Sequence, residues 1–266
     1  MNAPERLPLP DIQSLPDVRN LAITAVGVKD VRYPLRLAGG ARPAATVGTW
    51  SMSVGLPAHV KGTHMSRFIE LLTDDAAVPL DAARFTALAQ AMLTRLDADS
   101  GTLAVDFPYF IAKAAPVSGV ESLLDHQVTW RVSLAPHRAP DFRMRVMVPA
   151  TSLCPCSKEI SAYGAHNQRS HIGIEAQLLG PMTIETLVAV AEQGASCEVY
   201  GLLKRSDEKY VTERAYDNPK FVEDLVRDIA LALEHDSRIG DYRVEAENFE
   251  SIHNHSAYAL IERAPH

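Results

Sequence analysis

The chain is poor in cysteine: Cys154, Cys156 and Cys197 are the only three in 266 residues. So few, and an odd number, exclude a disulfide framework and fit a reducing compartment. Cys154 and Cys156 flank Pro155, which is poor spacing for a mutual bridge and misses the Cys-x-x-Cys of structural zinc sites. No apolar run approaches the ~20 residues needed to span a bilayer. Met1 to Pro8 lack a basic segment followed by an apolar one, so no secretory signal is expected. The expectation is a soluble cytoplasmic protein with no membrane partner. Basic charge is scarce too: 26 Lys and Arg stand against 33 Asp and Glu, giving a net charge of −7. With a pI near 5.8, a broad nucleic-acid surface is not expected, although a local basic cluster could still take a small anion. The Gly-x-x-x-x-Gly-Lys of a P-loop is missing.

What is present is ordinary globular composition, 47% apolar and 22% charged. The length allows one large domain or two of about 100–150 residues. Residues 1–19 are rich in Pro and Asp without periodicity and read as an extended arm. Ala22–Leu35 alternates and is rich in β-branched residues, Gly39-Gly40 makes a turn, and Ala45–Gly55 completes a hairpin. Met65–Leu72 and Asp81–Asp97 carry helical periodicity, with Asp81 as N-cap. Strands follow at Leu103–Ala114 and His126–Leu134. The order then repeats: strands at Arg143–Val148 and Ile172–Leu179, a helix at Thr183–Gly194, and a helix opened by Asn218 with Pro219 at its first position. Strands at Tyr242–Phe249 and Ser256–Ile261 finish the pattern. The fold class expected is α+β: two tandem β-β-α-α-β-β modules, residues 20–137 and 138–266, each an antiparallel sheet with helices on one face. Open sheet edges must be paired or covered. Pairing them between subunits would close a barrel, so self-association is expected.

Four stretches carry candidate chemistry. The densest is Cys154 to His171, expected as a loop between two strands and holding Cys154, Cys156, His166 and His171. Cys154 reads either as a buried structural thiol or as a nucleophile or metal ligand at a strand end. Cys197, beside Val199, reads as core. In Ile252-His253-Asn254-His255, the two imidazoles share a face if the following strand extends that far. They are then either surface residues or, with Cys154, part of a thiolate–imidazole site of the kind that activates water. Lys61, His64, Ser66 and Arg67 precede or open a helix; they make either an anion site or a solvated helix start. Glu223 lies on an apolar-faced helix. It is either a solvated charge or, if it faces the sheet, a grip for the N–H donors of a heterocycle.

Three motifs carry a resemblance: Ser152-Leu153-Cys154-Pro155-Cys156-Ser157-Lys158-Glu159-Ile160-Ser161 with His166, Lys61-Gly62-Thr63-His64-Met65-Ser66-Arg67-Phe68, and Glu250-Ser251-Ile252-His253-Asn254-His255. Together they closely resemble GTP cyclohydrolase of type IB, and the likeness runs over nearly the whole chain. The resemblance implies a tunnelling fold, a homotetramer, and active sites at subunit interfaces. It implies conversion of GTP and water to 7,8-dihydroneopterin triphosphate and formate, the first step towards tetrahydrofolate. It also implies a divalent metal (Zn, Mn or Fe(II)) held by Cys154, Glu208 and His253, with His166 transferring protons and Glu223 anchoring guanine. Lys61, His64, Ser66 and Arg67 would face the triphosphate, while Cys156 and His171 fall to scaffold. Glu208 enters from the resemblance alone.

Three rivals share the fold. An archaeal-type GTP cyclohydrolase would give a cyclic phosphate. A nitrile reductase would use a cysteine nucleophile and NADPH, but Glu121 to His126 lacks the lysines of the Glu-x-Lys-x-x-Lys stretch expected for it. A pterin- or metal-binding module would bind without releasing formate.

Overall fold

The structure, a computed structural model, describes residue 13, residues 15–38 and residues 44–264. Most of the arm expected over residues 1–19, and the Gly39-Gly40 turn, lie outside the described residues. The chain divides into two compact units. The first comprises Met1–Ala45, Thr49–Ala104 and Val132–Pro140; the second comprises Thr46–Gly48, Val105–Arg131 and Asp141–His266.

The first unit holds β1 (Ile23–Leu37), β2 (Ala44–Leu56), α1 (Ser66–Asp75) and α2 (Ala82–Leu96), with the start of β3 (Gly101–Ala114) and the end of β4 (Glu121–Leu134). Its strands are hydrogen-bonded in the order β1-β2-β3-β4. β2 alternates as a half-buried strand should: Trp50, Met52, Val54 and Leu56 are buried on one face. Phe68, Leu71 and Leu72 of α1 and Phe85, Leu88, Ala89 and Met92 of α2 are buried, the three- and four-residue spacing of amphipathic helices. Asp81 caps α2 as expected, its carboxylate accepting from Arg84 N at 2.8 Å. β1 and β2 approach so closely at Gly27 that an added Cβ would lie 1.9 Å from Met52 O, which excludes any larger residue there.

The second unit holds the rest of β3 and β4, then β5 (Asp141–Leu153), α3 (Pro155–Ile160), β6 (Asn167–Leu178), α4 (Ile184–Gly194), β7 (Cys197–Glu198), α5 (Arg205–Asp217), α6 (Val222–Glu234), β8 (Ile239–Asn248) and β9 (Ala257–Arg263). Its strand order is β3-β4-β5-β6-β8-β9, with β7 pairing β5. From β5 onward every pairing is antiparallel. Val146, Val148, Ala150, Ile172, Ile174, Val244 and Ala246 are buried together with Leu187, Val188 and Ala191 of α4 and Leu225, Val226, Ile229 and Leu233 of α6. The alternate positions are ionic: Arg143 meets Asp241 at 2.7 Å and Asp141 at 3.0 Å, and Arg145 meets Glu245 at 2.7 Å.

The expected order thus stands with three added elements, α3, β7 and α5. The Cys154–His171 stretch is not all loop: it contains α3, and β6 starts at Asn167 rather than Ile172. α5 buries only Asp207 and Ala215, so it has no apolar stripe to announce it. The last long helix does not open at Asn218 with Pro219 in its first turn; it begins at Val222. Asn218 closes α5 instead: its N–H donates to Arg214 O at 3.1 Å, and its side chain donates to Ala195 O at 2.9 Å. His253 and His255 lie before β9 and not on it. Cys197 is core as expected, and burial pushes its thiol up to about 11.

His126 on β4 is 1% exposed. Burial pushes its imidazole below the ordinary histidine range, and the Lys113 ammonium adds to the shift against a smaller pull from Asp125. The unfolded chain therefore takes a proton before the folded one does. The stabilisation is complete above pH about 6.5 and erodes as pH falls below it. Thermal melts should show Tm falling between pH 7.5 and 5.5, and His126→Leu should flatten that slope. An unchanged slope in the variant would refute the assignment.

Candidate active site

β5 ends at Leu153, and Cys154 becomes the N-cap of α3 with Pro155 in its first turn. Its half-buried sulfur accepts from Ser157 N at 3.4 Å. The main chain ties this residue to the start of β6: Cys154 N donates to His166 O at 3.2 Å, and His166 N donates to Ser157 Oγ at 3.2 Å. Cys154 and His166 are therefore brought together. The segment after β8 joins them. Phe249 N donates to Arg169 O at 3.0 Å, Ser251 Oγ lies 3.4 Å from His166 Nδ1, and Glu250 Oε2 lies 3.9 Å from it. Gln168 Oε1 is closer still to that nitrogen, at 3.0 Å. Gln168 is not among the residues singled out from the sequence, and Glu250 enters there only as part of the Glu250–His255 motif. The sequence carries no signal for Gln168: His166 precedes β6, so their i+2 spacing does not by itself put them on one strand face.

His253 and His255 are exposed and stacked, with ring centroids 5.1 Å apart and planes at 14°. His171 meets Phe249 edge-on at 4.8 Å. Glu208 is exposed near the start of α5. Its neighbour Asp207 fixes that helix end: the carboxylate accepts from Val117 N, Ser118 N and Lys204 N at 2.8 Å each and from Ser118 Oγ at 2.6 Å. Burial by itself would push the Asp207 carboxyl up; these hydrogen bonds outweigh it and hold the group well below the usual carboxylate range. Its stabilisation is present above the ordinary aspartate range and is lost as pH falls through the lowered value. Glu223, in the first turn of α6, is exposed and does not face the sheet; Val222, Leu225 and Val226 do the burying. The segment before α6 is nonetheless tied to the site, because Lys220 N donates to Leu153 O at 3.1 Å.

A cleft of about 340 Å³ is lined by Thr151 of β5, by Asn167, Gln168 and Arg169 of β6, and by Glu198, Tyr200 and Thr212. Lys61, His64, Ser66 and Arg67 belong to the first unit. Lys61 and Ser66 are exposed, α1 has no side-chain cap, and Arg67 Nη1 donates to Arg95 O at 3.2 Å. Among the described residues, no three His, Cys, Asp or Glu side chains are grouped to hold a metal ion. Cys154, Glu208 and His253 therefore do not converge within one chain, although their sulfur, oxygen and nitrogen donors suit a borderline divalent ion.

The sequence profile of the type I GTP cyclohydrolase FolE2 family matches residues 9–259. GTP cyclohydrolase FolE2 1 of Dechloromonas aromatica is 61% identical over 262 residues, 98% of each chain. GTP cyclohydrolase FolE2 2 of Cupriavidus metallidurans is 61% identical over 96% of this chain and 94% of its own. The protein from Herminiimonas arsenicoxydans is 60% identical over 96% and 97%. Among solved structures, a uricase from Bacillus fastidious superposes with a TM-score of 0.54 at 10% identity, covering 91% of this chain and 93% of that one. The urate oxidase of Bacillus subtilis gives 0.53 at 9%, covering 90% and 98%. At such identity the likeness speaks for the fold alone: α+β, with a mostly antiparallel sheet and six helices among the described residues. The profile and the relatives span nearly the whole chain, motifs included, and the chain belongs to the type I GTP cyclohydrolase FolE2 family.

Proposed function

We propose that the chain is a metal-dependent GTP cyclohydrolase, converting GTP and water to 7,8-dihydroneopterin triphosphate and formate at the head of tetrahydrofolate synthesis. The observation that carries it is the meeting of Cys154, His166 and the Glu250–His255 segment at the ends of β5, β6 and β8, in a member of this family. Cys154, Glu208 and His253 would hold the divalent ion, which supplies an activated water and a polarised purine when bound. Zinc, manganese and iron(II) all suit the mixed donors. Glu223 grips the N–H edge of guanine. His166 moves protons as water adds at C8, the imidazole ring opens, and a second hydrolysis releases formate. Lys61, His64, Ser66 and Arg67 hold the triphosphate, each cation and N–H offsetting phosphate charge.

The dispersed donors favour a site completed by another copy of the chain. Among the described residues β1 and β9 end the strand order, each with a single neighbouring strand, and open edges of this kind favour pairing between copies. The assembly proposed is a homotetramer of chains with tandem tunnelling modules, residues 20–137 and 138–266, behind an arm at 1–19. The setting proposed is cytoplasmic; among the described residues no helix is long and apolar enough to cross a membrane.

The test is formate release from GTP by protein stripped with chelator and reloaded separately with Zn, Mn or Fe(II). Formate and a pterin that keeps its triphosphate should form in equal amounts with at least one metal. No formate with any of them would sink the proposal, and a cyclic phosphate in the product would correct it.

A further inference from the structure

We infer that Gln168 is a positioning residue: its side-chain oxygen holds the proton of the His166 ring on Nδ1 and leaves Nε2 as the basic nitrogen. The inference rests on the proposal that His166 moves protons during GTP opening.

A neutral imidazole carries one N–H, and the acceptors around the ring decide which nitrogen bears it. Three oxygens approach Nδ1 of His166: Gln168 Oε1 at 3.0 Å, Ser251 Oγ at 3.4 Å and Glu250 Oε2 at 3.9 Å. Two of them, an amide oxygen and a carboxylate, cannot donate and would repel a lone pair on Nδ1. No hydrogen bond within the chain engages Nε2 among the described residues. The hydrogen therefore belongs on Nδ1, and Nε2 keeps its lone pair for the reaction.

Gln168 suits this task better than the other two. It is 8% exposed, whereas Ser251 is on the surface. It sits within β6, two residues after His166, paired in register with Ser152 of β5, and shares a strand face with Ser170. That face continues as a buried polar row. Ser152 Oγ and Ser170 Oγ lie 2.7 Å apart, and Ser170 Oγ donates to Asn248 Oδ1 at 2.6 Å. All three side chains are 3% exposed or less. The row joins β5, β6 and β8 where Cys154, His166 and Glu250 leave the strands. Satisfied buried networks of this kind specify one arrangement, because the alternatives leave polar groups unpaired.

The test uses full-length, ¹⁵N-labelled, metal-free protein at pH about 8, above the ordinary histidine range. Long-range ¹H–¹⁵N correlations identify the protonated nitrogen of each ring, and His166→Asn assigns the signal. Wild type should show a proton on Nδ1 and a bare Nε2. Gln168→Met keeps the volume but removes the acceptor; His166 should move towards the Nε2–H form, with kcat lowered roughly 10- to 100-fold and KM for GTP little changed. Gln168→Glu restores an acceptor and should restore the Nδ1–H form and most of kcat. A purely structural role would not move the tautomer or be rescued this way. A wild-type proton on Nε2, or Gln168→Met with wild-type tautomer and kcat, would overturn the inference. Should Gln168→Met not fold, the wild-type spectrum and Gln168→Glu still decide it. If His166→Asn releases formate normally, the proton-transfer reading falls, while the spectrum still judges the tautomer.

Discussion

Cys154→Ala is expected to abolish formate release, lowering kcat by at least about 10²-fold, in a protein that still folds. Structurally the sulfur does little. It is half-buried, outside the apolar core, and accepts one long hydrogen bond from Ser157 N as the cap of a six-residue helix. Losing such a cap costs about 0.5–2 kcal/mol. Chemically it is the one soft donor of the proposed ligand set. Metal content, formate release at saturating metal and thermal melts separate the two. Cys156→Ala, two residues away with an exposed thiol, should stay within about twofold of wild type, as surface changes do. A Cys154→Ala protein that binds metal fully and turns over normally would remove Cys154 from the site.

The largest expected loss of stability is at Leu225→Ala. Leu225 is fully buried on α6, whose apolar face packs on β8 and α4. The packing leaves no slack: an added Cβ at Gly194 of α4 would come 2.6 Å from Ile229 Cγ1 and 3.6 Å from Leu225 Cδ1. Truncation should therefore open a cavity that the helices cannot close, at a cost of about 3 kcal/mol. In a chain of this size that lowers Tm by roughly 6–12 °C. Leu231→Ala on the same helix, with 53% of the residue exposed, should change stability by less than about 0.5 kcal/mol. Equal melts for the two variants would mean that α6 does not dock as described. Activity should fall with Leu225→Ala as well, because α6 carries Glu223 in its first turn.

The long elements were legible because their hydrophobic periods are strong. Trp50 to Leu56 alternates, and Phe85 to Leu96 recurs every three or four residues; both signals survive any tertiary context. α5 was not legible. Its stability comes from Asp207 holding the helix end and from Ala215 beneath it, and a helix so polar leaves no periodic trace. The start of α6 was misread for a related reason. Asn218 and Pro219 form a valid helix-opening signal, but Asn218 is spent on closing α5 and on the carbonyls of Ala195 and Ser196. Two local rules competed there, and contacts more than twenty residues away chose between them.

The sequence by itself determined the class of fold, the amphipathic faces and the family, because each is written in residue types at fixed short spacings. It also supplied Cys154, His166 and the Glu250–His255 motif as candidates. Only the tertiary structure decided that the Glu250–His255 segment joins Cys154 and His166, since β8 pairs β6 although its end lies far down the chain. It likewise decided that Gln168, Ser251 and Glu250 converge on one nitrogen of His166. Hydrogen bonds have a reach of about 3 Å and a direction. No pattern along a chain encodes which of two ring nitrogens they will find.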